Sequence, residues 1–168
     1  MRATPAHLLP AIGLRPGGER PDLEPLVVQL YAALYESIAA HSRLGLDVVV
    51  DTGHHDAHSR PLGILPASAR RLAGLPALFV GVHCPLDEIM ARRAALPDRG
   101  RTRYETAAPG APVPPTVLAW SAVHDPGLYD LELDTSRLSP GACAERIAEA
   151  LRDGAPTPGA FVQLAVME

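Results

Sequence analysis

The strongest constraint on this chain is an abrupt change of hydrophobic period near residue 45. From 23 to 44 the apolar residues Leu23, Leu26, Val27, Leu30, Leu34 and Ile38 recur at helical spacing, with Gln29, Glu36 and Arg43 polar among them. Asp22 can cap the start of such a helix and Gly45 can stop it. Residues 46–51, LDVVVD, follow at once as a short β-branched run ending in an acid. That composition reads as a buried strand. A helix passing straight into a strand is one half of an α/β repeat.

The same grammar continues. Residues 62–72 read as a weaker helix interrupted by Pro66, and 77–84, ALFVGVHC, as a second strand. In 85–95 Pro85 suits a first helical position, with Asp87 and Glu88 in the first turn. Residues 97–115, rich in Pro, Gly and Arg, read as a loop, and 115–123 as a short helix. YDLELD, 129–134, reads as a third strand; Ser139 and Pro140 then open a final helix to Leu151. Helix and strand alternate, so the predicted class is α/β, a parallel sheet flanked by helices with right-handed crossovers. The predicted organisation is an irregular segment at 1–22, the α/β domain at 23–153, and a turn-rich linker with an apolar tail at 154–168. Ligands in such folds sit outside the carboxyl ends of the strands. Here those ends are Asp51-Thr52, Cys84 and Asp134-Thr135.

Composition narrows the chemistry. All 15 basic residues are arginine; the chain has no lysine and no asparagine. That excludes a Schiff base, a catalytic ammonium and the lysine of a phosphate-binding loop. A net charge of −4 argues against a nucleic-acid backbone binder. No apolar run approaches a bilayer span, and residues 1–10 lack the apolar stretch of a secretory signal. Cys84 and Cys143 form neither a CxxC nor a disulfide framework, so a reduced, cytoplasmic chain is expected.

Three groups can carry chemistry. Asp51, at a strand end, can hold Mg²⁺ or accept a proton; an Asp there is also a common turn former. His54, His55, Asp56 and His58 follow in one loop. They face substrate if that loop leaves a strand end, and a histidine there can act as a base. Their spacing matches no strong metal pattern, although a metal-dependent hydrolase can be built from such residues. Arg92, Arg93, Arg99, Arg101 and Arg103 gather at a helix end and in the loop beyond it. Arginines on such a segment can close over phosphates; equally, Arg92 and Arg93 can complement a helix C-terminus.

Several of these segments together resemble the chloramphenicol phosphotransferase family of small P-loop kinases. The likeness begins near Leu9-Pro10 and runs through LGLDVVVD and LFVGVHCPLDEIMARR. It is strongest in VHDPGLYDLELDTS, residues 123–136. The resemblance implies a P-loop kinase-like fold and an ATP- and Mg²⁺-dependent transfer of phosphate to an alcohol of a small-molecule substrate. It places Asp51 at the acid before the substrate loop, as catalytic and metal-binding residue, with Thr52, His54 and His55 toward substrate. It places Arg92 and Arg93 where the lid begins, Asp98-Arg99 as the lid pair with Arg99 catalytic, and Asp134, Thr135 and Ser136 near the adenine. Leu96 stands where the family has an arginine two residues before that pair.

The departure lies at the start. The family opens with a strand, a P-loop, a helix and a second strand ending in the catalytic aspartate. This sequence lacks the first, central strand and the P-loop, and its register places Ala3 where that aspartate falls. The missing unit amounts to about 30 residues. Its absence would leave two neighbouring strands with unpaired backbone groups and an apolar groove. An N-terminally truncated phosphotransferase, inactive alone, is one expectation; a non-catalytic pseudo-kinase or binding module is the other.

Overall fold

The computed structural model describes residues 20–96, 110–154 and 156–167. Arg99, Arg101, Arg103 and the Asp98-Arg99 pair lie outside the described residues. After a 3₁₀ turn at Pro21–Leu23 the elements are α1 (Glu24–Arg43), α2 (Ile64–Arg71), β1 (Val80–His83) and α3 (Leu86–Ala94). Then come α4 (Pro115–Leu118), running into a 3₁₀ turn at Ala119–His124, β2 (Leu131–Asp134), α5 (Pro140–Asp153) and α6 (Ala160–Ala165). The class is α/β, with a two-stranded parallel sheet among the described residues.

The helix at 23–44 forms, with two adjustments. Its inward stripe is centred on Val27, Tyr31, Tyr35 and Ala39 rather than on the leucines, because these positions meet α2 and the loop before it. Asp22 does not cap it; the carboxylate takes two bonds from Arg20, at 2.7 and 2.9 Å. The stop at Gly45 is as expected. Gly45 has φ +77°, its N–H bonds Ser42 O at 2.9 Å, and the Leu46 N–H bonds His41 O at 3.1 Å. This is a Schellman closure, which a Cβ at that φ would strain.

The strand expected at 46–51 is not formed. The segment joins no ladder, and Val49 is 99% exposed. A β-branched run becomes a strand only where neighbouring backbone completes its hydrogen bonds. Among the described residues β1 pairs β2 alone, and Val82 on β1 is 55% exposed. Pro85 is the N-cap of α3 rather than its first residue. Ser139 caps α5 as predicted, its Oγ accepting the Ala142 N–H at 3.2 Å. Pro66 is accommodated in the first turn of α2, where its missing N–H costs nothing.

The sheet is short but its register is fixed: Val80↔Leu131, Gly81↔Glu132, Val82↔Leu133, His83↔Asp134. Gly81 is required. A Cβ there would lie 2.6 Å from the Tyr129 ring, which covers that face of β1. Phe79 continues the aromatic layer, its ring 4.9 Å from Tyr129 and 4.8 Å from Phe161.

The apolar tail becomes α6 and packs on α2, with Leu164 fully buried against Leu65 and Ala69. Phe161 touches both this cluster and the one around Tyr35, Ala39 and Leu72. Asp130 anchors the arrangement: its carboxylate accepts the Phe79 N–H and the Ala160 N–H, each at 2.7 Å. No helix among the described residues is long and apolar enough to cross a membrane.

Asp130→Ala removes two charge-assisted bonds and frees the start of α6. It is expected to lower stability by about 2–4 kcal/mol in urea denaturation, with Asp130→Asn losing less. A change of under about 0.5 kcal/mol, the usual surface value, would contradict this anchor.

Candidate functional site

Glu24, Tyr31 and Tyr35 are seven and four residues apart on α1, so helical periodicity puts them on one face. Each sends a polar tip to the loop after residue 51. Tyr35 Oη lies 2.9 Å from His54 Nε2. The Tyr31 hydroxyl donates to Gly53 O at 2.6 Å, with half-buried Thr52 beside it. The Glu24 carboxylate accepts the Ser59 N–H at 2.7 Å and also the Ser59 hydroxyl. The loop folds on itself as well. Asp56 Oδ1 accepts the Leu62 N–H at 3.1 Å, and His55 Nδ1 accepts the Ala57 N–H at 3.2 Å. A polar loop is thereby held in one shape by a helix that precedes it.

Burial sets the electrostatics of this loop. His54 is 4% exposed, between the rings of Tyr31 and Tyr35 at 5.2 and 5.6 Å. Desolvation, aided by His55, depresses its pKa to about 4, so it is neutral at pH 7. Desolvation also lowers His55, whose ring stacks on His58 at 4.6 Å. Burial pushes the Tyr31 and Tyr35 hydroxyls up. The Ser59 hydroxyl and N–H hold Glu24 below the usual carboxylate range. A histidine acting as base near neutral pH was one sequence reading. His54 does not suit it, since its pKa is too low and one nitrogen is taken by Tyr35.

Beside this loop lies an open cleft of about 440 Å³. His54, His55, Asp56 and Asp125 supply its polar wall; Pro126 and Met167 supply exposed apolar wall, over buried Leu65 on α2 and Leu164 on α6. Asp51 is exposed at the end of the unpaired run and does not line the cleft. No group of three or more His, Cys, Asp or Glu among the described residues could hold a metal ion, so the loop histidines with Asp56 form no such site.

The second group of residues meets at the carboxyl ends of β1 and β2. The Thr135 N–H and hydroxyl both reach His83 O, at 2.9 and 3.1 Å. Asp134 Oδ1 accepts the Ser136 N–H at 2.9 Å and its hydroxyl at 2.6 Å, which holds the carboxyl below the usual range. Arg92 joins this turn, donating to Thr135 O at 2.6 Å while its Nε bonds Glu88 at 2.9 Å. Arg93 is 7% exposed and so is separated from solvent-facing Arg92. Nearby, His83 stacks on His124 at 4.1 Å, and His124 Nδ1 lies 2.8 Å from the Tyr129 hydroxyl. Sequence reasoning brought Arg92, Asp134, Thr135 and Ser136 together and grouped Thr52, His54 and His55. It missed Glu24, Tyr31, Tyr35 and Asp125, and the contribution of α6. The spacing of Glu24, Tyr31 and Tyr35 was a readable signal, since polar tips on a helix's inward face need buried partners.

The described residues thus form an α/β domain with a two-stranded parallel sheet, its strand-end polar groups bonded to one another. The model of the family of chloramphenicol phosphotransferase-like proteins matches residues 1–152, and the chain belongs to that family. No curated protein matches, and no solved structure matches. The described residues do not fit a Mg²⁺–triphosphate. The sequence has no lysine and no GxxxxGK(S/T), and Arg92 is already engaged with Thr135 and Glu88.

The histidine shift makes stability depend on pH. The unfolded His54 protonates near 6.5 and the folded one near 4. Its contribution is therefore complete above about pH 6.5 and is lost as pH falls toward 4. The chain is expected to lose about 2 kcal/mol between pH 7 and pH 5, measured by denaturant unfolding. His54→Gln should remove most of that slope; a slope unchanged by the substitution would contradict the assignment.

Proposed function

We propose that this chain carries the acceptor-binding part of an ATP- and Mg²⁺-dependent O-phosphotransferase of the cytoplasm. Its acceptor is the hydroxyl of a small molecule, of chloramphenicol type or related. The family match over residues 1–152 carries the reading. The cleft beside the loop at 52–62 supports it, as a place for an acceptor next to the segment that ends in Asp51. In this reading Thr52, His54 and His55 face the acceptor side, and Asp51 stands toward the metal. Arg92, Arg93, Asp134, Thr135 and Ser136 belong to the nucleotide side, and Arg99 to the lid.

The chain by itself is proposed not to transfer phosphate. Phosphoryl transfer is almost entirely positioning and charge neutralisation, and the sequence holds neither the glycine-rich cradle nor its lysine. The exposed 46–51 run and the exposed Val82 on β1 fit a sheet that has room for further strands. The second reading, a non-catalytic binding module, draws on the same missing cradle.

Titration calorimetry with ATP–Mg²⁺ and a product assay with chloramphenicol as acceptor test the proposal. The 168-residue chain is expected to give no nucleotide heat and no phosphorylated product, yet to bind the acceptor. Product formation would overturn the inactivity, and failure to bind any hydroxylated acceptor would overturn the acceptor assignment. The genomic frame read upstream of Met1 separates the two readings. An in-frame GxxxxGK(S/T) favours the phosphotransferase; a stop codon before any such loop favours the binding module.

A further inference from the structure

The hydrogen bond between Tyr35 and His54 fixes more than the shape of the loop. Tyr35 is 3% exposed, and the partner of its hydroxyl among the described residues is His54 Nε2 at 2.9 Å. A buried phenol has one hydrogen to place. If Nε2 carried a proton and donated, the tyrosine hydrogen would be left without an acceptor. The satisfied arrangement has Tyr35 donating to a bare Nε2, so neutral His54 carries its proton on Nδ1. That nitrogen has no partner among the described residues and is not sealed inside the protein, and His54 lines the cleft. His55 shows the opposite tautomer by the same logic. Its Nδ1 accepts the Ala57 N–H, so its proton sits on Nε2.

We propose that the cleft is a binding site in which the Nδ1–H of His54 and the Nε2–H of His55 donate to acceptor oxygens of one uncharged ligand. The apolar body of that ligand rests on Pro126 and Met167, the exposed apolar residues of the lining. Asp56 and Asp125 both line the cleft, and no Arg lines it among the described residues, so an anionic ligand there meets two carboxylates. An uncharged carbonyl or hydroxyl compound meets two fixed donors. The low pKa of His54 keeps its donor neutral through the physiological range. The site deepens the acceptor assignment and rests on it only for which group is phosphorylated; binding needs no nucleotide.

Long-range ¹H–¹⁵N correlation of the histidine rings in the intact chain at pH 7.5 tests the donors directly. His54 is expected as the Nδ1–H tautomer and His55 as Nε2–H. Tyr35→Phe should return His54 to the commoner Nε2–H form. Adding N-methylbenzamide, an uncharged carbonyl on an apolar ring, should shift both ring-nitrogen signals, whereas benzoate at the same concentration should not. His55→Ala, at a half-buried position, should weaken the amide about three- to tenfold, the loss of one neutral hydrogen bond. An Nε2–H tautomer at His54, equal binding of benzoate, or no response of either ring to the amide would each overturn the proposal. These readouts use no ATP, so their failure is distinct from a failure of the phosphotransferase reading.

Discussion

The bond between the Tyr35 hydroxyl and His54 Nε2 is the interaction on which the site depends. It joins the centre of α1 to the polar loop that follows it, in a place water does not reach. Buried polar groups must be satisfied, so each partner fixes the other. Tyr35 packs with Ala39 and Leu72 in the core, which holds its hydroxyl in place. The loop then takes its shape from three tips on one helix face, with Glu24 and Tyr31 completing the set. The cleft is a consequence of that shape together with α2 and α6.

The molecule thus has two centres of different character. The cleft is lined by neutral imidazoles, carboxylates and apolar side chains, a surface for an uncharged compound. The strand ends carry Arg92 and the tight Asp134–Ser136 turn, but their polar groups are mostly satisfied by one another. In the function proposed above, the two centres are the acceptor side and the nucleotide side of a phosphotransferase. The physical asymmetry is that the first is open for a ligand and the second is internally bonded.

Much of the fold was legible because local signals were strong. The period of α1, the Schellman glycine at 45 and the Ser139 cap all rest on backbone rules that need no distant partner. The run at 46–51 was misread for the opposite reason. Three consecutive valines state a preference, while a strand also needs a neighbour, and sequence period cannot supply one. Asp22 failed as a cap because Arg20, two residues away, offered a stronger partner. Within the site, loop position pointed to His54 and His55, but their tautomers depend on Tyr35 and on the Ala57 amide, which only the folded chain brings near. The role of α6 was hidden because a six-residue stretch, apolar but for Gln163, after a proline-rich turn carries no period of its own.

The loop after residue 51 is pinned by α1, while the valine run before it is unpaired. Amide hydrogen exchange on the intact chain, resolved by residue, tests both halves together. The Ser59 amide, bonded to Glu24, should exchange as slowly as the ladder amides of β1, and the amides of Val48, Val49 and Val50 should exchange at nearly the free-peptide rate. Protection of the valine amides at the level of β1, or free-peptide exchange at Ser59, would contradict the account.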